Sequence, residues 1–487
     1  MAGEPRRHTL LDIRDNLCPH GTCNVQGKVN MDYRGKKVSV LGLGKSGFAS
    51  VKLLIRRGAI VLASDARACD ELEFKAAILR DMGASVELGG HSEAVFRTAD
   101  EIVVSPGVPQ DLDILRQAMR ERPRLPIIAE VELAFRLTKG QIVAVTGSNG
   151  KSTTVTLLGC IFEADGREAN VVGNIGTPFC DVVESATEET IHVVELSSFQ
   201  LEKIVDFRPK VACILNLSAD HLDRHLDEKA YFRAKERIFM NQTAADLSVL
   251  SMDDAKVAML ASRVNGRAAL FGSHDLSVTG CFVRDGVITM KTLDGRTVPI
   301  LPTREMGIPG PHNVSNACAA VACTLPFDVP AQAIARALKD FAGLPHRLEK
   351  VGESNGIAFV NDSKATNIES LEVALKSFGD NIVLIAGGYD KGADFSEVSG
   401  LVKKNVKCAV LIGDTADKIG TAWRDVTKIE RAETLKRAVE IAISNAKSGD
   451  VIMLSPGCAS FDMFRNFEHR GDEFRNLAKE IISNNEE

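Results

Sequence analysis

The chain has 487 residues, 45% of them hydrophobic, and a net charge of −6 from 59 basic against 65 acidic side chains. That length accommodates roughly two to four domains with sizeable cores. The near-balanced charge argues against wholesale nucleic-acid binding, and no apolar run approaches the roughly 20 residues that span a bilayer. Residues 1–30 carry no periodic apolar pattern and read as an extension, expected to be disordered and dispensable for catalysis, with Met31 a candidate start. Arg6 and Arg7 have no apolar segment behind them, so no secretory signal is expected. Cys18-Pro-His-Gly-Thr-Cys23 lacks neighbours that would complete a four-ligand metal set. Eleven cysteines are scattered, and Cys160, Cys213 and Cys408 sit in apolar runs, the pattern of free buried thiols in a reducing cytosol. A cytoplasmic protein is expected.

From Lys36 the chain alternates β-rich and helical stretches: VSVLGLG, a helix through Ile55, IVLASDAR, VELGG and EIVVSPG. This spacing predicts a doubly wound α/β domain with its ligand site at the strand C-termini. Gly42-Leu-Gly44-Lys45-Ser46-Gly47 matches G-x-G-x-x-G after a strand, and Asp65 ends the next strand where a ribose-binding acid falls. By itself this fits an NAD-dependent oxidoreductase. A different nucleotide-type ligand would use the same loop and sheet edge, gripped by Arg67 and the turn Ser105-Pro-Gly107.

The next block opens near Glu130. The apolar run Gln141-Ile-Val-Ala-Val145 leads into Thr146-Gly147-Ser148-Asn149-Gly150-Lys151-Ser152-Thr153, a strand ending in a glycine-rich loop that starts a helix. Such a loop turns backbone N–H groups and a helix N-terminus onto a polyphosphate. Lys151 would reach the terminal phosphates of ATP and the Ser152 hydroxyl would ligate Mg²⁺. Val145 stands where the common form of this loop has glycine. Glu195 ends the strand IHVVE, the position where a carboxylate holds Mg²⁺ beside a phosphate loop. His221 follows the run VACILNL and can point at the same site, and Lys235 lies in the helical stretch KAYFRAKERIF, ordinarily the profile of a solvated lysine. A less regular β-rich stretch, 247–302, follows. From Gly343-Leu-Pro-His-Arg347 the βα alternation returns with IAFVNDS, NIVLIAGG, CAVLIG and DVIMLSPG, four strands whose following loops share one edge of a parallel sheet.

Nine motifs occur in fixed order: TGSNGKST, GNIG (173–176), ELSSFQLE (195–202), DHLDR (220–224), GPHN (310–313), GLPHR (343–347), NDSKATN (361–367), GGYDK (387–391) and SPGCASFD (455–462). Together they resemble the Mur ligases of peptidoglycan synthesis over roughly residues 36–480. The resemblance implies three α/β domains: a Rossmann-like N-terminal domain (31–129) for the UDP end of the substrate, a P-loop-type central ATPase domain (130–343), and a Rossmann-like C-terminal domain (344–487) for the amino acid. It implies an ATP-dependent ligase, acting as a monomer, that joins D-glutamate to UDP-N-acetylmuramoyl-L-alanine through an acyl phosphate. Other Mur-type ligases and folylpolyglutamate synthetase share the plan and remain alternatives.

Residue by residue, the resemblance puts Gly44, Lys45, Ser46, Gly47, Asp65, Arg67, Ser105, Gly107, Asn174 and Ser197 against the UDP-substrate. It puts Gly147 to Thr153, Asn313, Asn316, Arg347, Asp362 and Lys391 against ATP. Two Mg²⁺ ions are implied on Ser152, Glu195, His221 and Lys235, the last as a carbamate, which turns a cation into an anionic oxygen ligand suited to a hard ion. Lys151, Glu195, His221 and Lys235 are the implied catalytic set. Lys364, Thr366, Ser460 and Phe461 match the D-glutamate site, with Phe461 where leucine is more familiar and Ala66 where a hydroxyl is common beside Asp65.

Overall fold

The computed structural model describes residues 31–109, 112–218, 224–225, 227–390 and 392–484. The extension 1–30, with its Cys18–Cys23 motif, and the candidate ligands His221 and Lys391 lie outside the described residues. The described chain forms two compact units, one of residues up to Thr303 with Val314–Leu338, the other of Arg304–Asn313 with Lys339 onward. Among the described residues no helix is long and apolar enough to cross a membrane.

The first unit holds two sheets. Five parallel strands lie in the order Ser85–Leu88, Ile60–Asp65, Lys37–Leu41, Glu101–Val104 and Ile127–Ala129. Chain order reverses beside Lys37–Leu41, the switch point where doubly wound sheets place ligands. The helix Lys45–Arg56 starts there and packs close because its Gly47 has no side chain: a Cβ would overlap the Gly42 carbonyl.

The second sheet has nine strands, in the order Thr297–Pro302, Val287–Lys291, Gly280–Arg284, Arg267–Gly272, Leu247–Ser251, Val211–Ile214, Gln141–Thr146, Ile191–Glu195 and Ala169–Gly173. Only the last two additions, Val287–Lys291 and Thr297–Pro302, pair antiparallel. The irregular stretch expected over 247–302 therefore extends the same sheet.

One buried core runs through both sheets, taking in Val40, Ala63 and Val103 of the first and Ala144, Val194 and Leu250 of the second. Between them lies the helix Glu130–Leu137, every residue of which is buried. Its Arg136 meets Glu101 Oε1 at 2.7 Å, Glu132 Oε1 at 2.8 Å and Asp206 Oδ2 at 3.3 Å. Glu132 also accepts from the amides of Val205, Asp206 and Phe207 at 2.9–3.0 Å. Buried charges persist only when paired and hydrogen-bonded, and here each is.

The second unit holds six strands in the order Glu349–Ser354, Ile357–Asn361, Val451–Leu454, Ile382–Gly387, Val406–Ile412 and Lys428–Arg431. The four apolar strands expected from sequence are its centre and are parallel. Alternate residues serve two cores: Val360, Leu384 and Met453 on one face, Phe359, Val383 and Ile452 on the other. Burial on both faces is what made those runs continuously hydrophobic.

Candidate active site

The phosphate loop hangs from the strand Gln141–Thr146, buried from Ile142 onward in the middle of the nine-stranded sheet. Gly150 has φ +85° and caps the helix Lys151–Ala164; a Cβ there would overlap the Asn316 side-chain oxygen. Asn216 fixes the loop from the next strand: its Oδ1 accepts from Asn149 N at 2.8 Å, its Nδ2 donates to Asn149 O at 3.1 Å, and its carbonyl accepts from Ser148 N at 3.0 Å. Ser148 Oγ donates to Ser218 O at 2.9 Å. The loop is thus shaped before any anion arrives. Lys151 Nζ folds back onto the carbonyls of Gly147 (2.8 Å) and Ser148 (2.7 Å). Ser152 and Thr153 are buried at the start of the helix, and Thr154 Oγ1 donates to Gly150 O.

Parallel register sets Glu195 opposite Val145, at the root of the loop. Its carboxylate is 2% exposed; Oε1 accepts from Asn174 Nδ2 at 2.9 Å, while Oε2 is buried with no hydrogen-bond partner. A buried carboxylate oxygen left open is costly unless something cationic meets it. Oε2 therefore fits a hard divalent cation. Among the described residues no group of three or more His, Cys, Asp or Glu side chains is placed to hold a metal ion.

Lys235 is not the solvated lysine its sequence suggested in isolation: it is 2% exposed. Its Nζ donates to Gly147 O at 2.8 Å and Thr146 Oγ1 at 3.3 Å and lies 4.7 Å from the Tyr231 ring centroid. Lys151, Ser152, Glu195, Asn174 and Lys235 thus gather around one loop. Ser197 sits beside them, its hydroxyl engaged in a capping box with Gln200 that starts the helix Ser198–Glu202. Asn316 Oδ1 lies 3.5 Å from Thr154 Oγ1.

At the edge of the five-stranded sheet, Ser105 Oγ donates to Gly42 O at 2.7 Å and so braces the glycine loop that carries Gly44, Lys45 and Ser46. Asp65 Oδ2 accepts from Leu43 N at 2.8 Å and Oδ1 from Arg67 N at 3.0 Å. Burial alone would raise this carboxyl, but the amide donors and the Arg67 guanidinium hold it below the usual range. Lys45, Arg67 and Gly107 are solvent-facing.

In the second unit Asn313 Nδ2 donates to Pro309 O at 2.7 Å. Asp362 is enclosed; burial pushes its carboxyl up to about 7 against the Ser455 hydroxyl (2.8 Å), the Leu348 amide (3.1 Å) and the charge of Arg347. Lys364 Nζ stands 5.7 Å from the Phe467 ring centroid, Ser460 is buried, and Phe461 is 66% exposed. Two residues that sequence reading passed over organise these sites. Tyr231 lies one turn before Lys235 on the helix Glu228–Glu236, its hydroxyl 3.2 Å from Ser148 Oγ. Arg470, fully buried, donates to Ser363 Oγ and O and to the carbonyls of Cys458 and Ala459 at 2.8–3.2 Å. It ties the loop of Lys364 and Thr366 to that of Ser460. The i, i+4 spacing of Tyr231 and Lys235 was the one available signal; nothing local marked Arg470.

Three family profiles match successive parts of the chain: the Mur ligase MurD-like N-terminal domain over residues 36–125, the Mur ligase middle domain over 145–324, and the Mur ligase glutamate ligase domain over 346–458. The UDP-N-acetylmuramoylalanine–D-glutamate ligase of Acidobacterium capsulatum is 44% identical over 448 residues, 92% of this chain and 97% of that protein. The fold is shared with the UDP-N-acetylmuramate-alanine ligase of Thermotoga maritima (TM-score 0.58, 18% identity, covering 91% of this chain and 99% of that one). It is shared also with the MurF ligase of the same organism in complex with ADP (TM-score 0.55, 16% identity, covering 93% and 96%). With the profiles in sequence and that identity across most of its length, the chain belongs to the Mur ligase family.

Proposed function

We propose that this protein is the ATP-dependent ligase that adds D-glutamate to UDP-N-acetylmuramoyl-L-alanine, acting as a monomer in the cytoplasmic assembly of peptidoglycan precursors. The carrying observation is the gathering of Lys151, Ser152, Glu195 and Lys235 at one phosphate loop, in a chain 44% identical to a ligase named for this reaction. An oxidoreductase reading uses only the first sheet and leaves that loop without a task.

A carboxylate is a poor acyl donor, so ATP first phosphorylates the alanyl carboxylate to an acyl phosphate, releasing ADP. The amine of D-glutamate attacks the acyl carbon, and the tetrahedral intermediate expels phosphate to leave the amide. The residues 147–153 bind the polyphosphate by their amides. Lys151 exchanges its two loop carbonyls for the β- and γ-phosphates and follows the charge that moves. Ser152, Glu195, His221 and Lys235 as its carbamate would hold two Mg²⁺ ions, which when bound neutralise crowded phosphate and carboxylate charge. Asn174 keeps the Glu195 carboxylate oriented. Asn313, Asn316, Arg347, Asp362 and Lys391 serve the nucleoside end of ATP. Gly44, Lys45, Ser46, Gly47, Asp65, Arg67, Ser105 and Gly107, with Ser197, take the UDP-substrate.

D-Glutamate carries two carboxylates and needs donors in two places. Lys364 supplies a point charge, Thr366 and Ser460 directional hydroxyls, and Phe461 one wall. Competition among D-glutamate, L-glutamate, L-alanine, L-lysine and diaminopimelate tests the assignment. D-Glutamate is expected to be ligated fastest; any rival that outruns it overturns the specificity while leaving the ligase chemistry standing.

A further inference from the structure

Beside the phosphate loop lies a buried cluster that this mechanism does not use. His225 is 5% exposed, with Nε2 2.9 Å from Ser198 Oγ and Nδ1 3.4 Å from Glu202 Oε1. Nε2 shares a hydrogen bond with the Ser198 hydroxyl, and Nδ1 faces the Glu202 carboxylate. The order serine, histidine, acid is that of a hydrolytic triad, but Ser198 is itself 2% exposed and reaches no substrate. The cluster is built to hold something still.

What it holds is visible in the ring contacts. The imidazole stacks on Phe199 (centroids 5.2 Å apart, planes 6° apart) and meets Tyr231 edge-on (5.3 Å, 66°). The Arg224 guanidinium lies 4.3 Å from the Phe199 centroid and donates to Val108 O at 3.3 Å, just past the turn of Ser105 and Gly107. On the other side Tyr231 reaches Ser148 Oγ and lies under the Lys235 ammonium. A continuous stack therefore runs from the 105–108 turn, through Phe199 and His225, to the phosphate loop.

We propose that His225 is a positioning residue for the ligation, locking the Tyr231 and Lys235 face of the helix Glu228–Glu236 against the helix Ser198–Glu202; the proposal rests on the function proposed above. Helices of nine and five residues do not hold their own geometry, so the alignment has to come from side chains between them. Imidazole supplies both a flat face for stacking and two directional nitrogens. A phenyl ring keeps only the face. The phosphate loop, fixed separately by Asn216, keeps its shape without His225, so nucleotide affinity and turnover should part company.

The test is kcat, KM and the Kd for ADP in wild type, His225→Ala, His225→Phe and Ser198→Ala. His225→Ala should lower kcat about tenfold or more, the scale of a sub-ångström misplacement, while the ADP Kd stays within about threefold. His225→Phe should recover part of the loss, and Ser198→Ala alone should lower kcat about threefold with ADP binding intact. A His225→Ala kcat within about twofold of wild type, or ADP affinity falling in step with kcat, would overturn the proposal. If His225→Ala does not fold, Ser198→Ala is judged by the same split. Wild type is assayed first: failure to ligate D-glutamate defeats the functional assignment, and the split is then read on whichever amino acid wild type does ligate.

Discussion

Glu130 is fully buried between the two sheets of the first unit, with Oε1 on Cys180 N at 2.7 Å and Oε2 without a hydrogen-bond partner. Burial pushes its carboxyl up to about 7 from the ordinary 4.5. The folded state therefore holds a proton that the unfolded chain has released above pH 4.5, and the stability this contributes is lost as pH rises through about 7. Between pH 5.5 and 8.5 the loss is about 2 kcal/mol, and Glu130→Gln should remove it from the wild-type pH profile; urea midpoints at the two pH values measure this. Lys151→Ala should cut ligation roughly a hundredfold to a thousandfold, the scale for deleting one donor aimed at developing charge. Near-normal turnover by the folded variant would contradict the ATP assignment. For Lys235, alanine substitution should abolish most activity and a short carboxylate such as formate should restore some of it. If bicarbonate depletion and Lys235→Ala both leave the rate unchanged, the carbamate is absent.

At the scale of elements, each assigned site is a loop held by a side chain from elsewhere: Asn216 for the phosphate loop, Ser105 for the glycine loop, Arg470 for the two loops of the second unit. Arg470 sits near the start of the helix Phe467–Asn484, and burial lowers its guanidinium to about 10, so it remains charged at neutral pH. Lysine cannot reach four acceptors arranged around a planar fork. Arg470→Lys should raise the KM for D-glutamate about tenfold, more than the KM for ATP, and cost about 1–3 kcal/mol through unsatisfied carbonyls. Equal shifts in both constants would mean that the residue supports the unit generally rather than these loops.

For the molecule as a whole, the core shared by the two sheets of the first unit, crossed by the Arg136 ion network, should make the five-stranded and nine-stranded sheets one cooperative body. Arg136→Met strands Glu101 and Glu132 in the interior and should cost about 3–5 kcal/mol. Hydrogen exchange should then show strands of both sheets losing protection together. Loss confined to one sheet would show that the shared core does not couple them.

Much of this was legible in the chain, because it is local. The βα alternation, the glycine fingerprint and the phosphate loop need only neighbouring residues to declare themselves, and nine ordered motifs carried the family. The edge strands Glu349–Ser354 and Lys428–Arg431 were missed because edges are half-exposed and carry polar residues, leaving no apolar run. Taken apart from the family motifs, Lys235 has a solvated profile, because a 3.6-residue period places a residue on a helix face without saying what covers that face. Its burial against Gly147, the Ser198–His225 contact and the Ser363 hydroxyl and carbonyl on Arg470 join residues 27 to 107 positions apart. The sequence by itself determined the fold and the chemistry expected at each loop. Which side chains hold those loops was decided only in three dimensions, since burial and hydrogen-bond partnership belong to pairs of distant residues and not to either one alone.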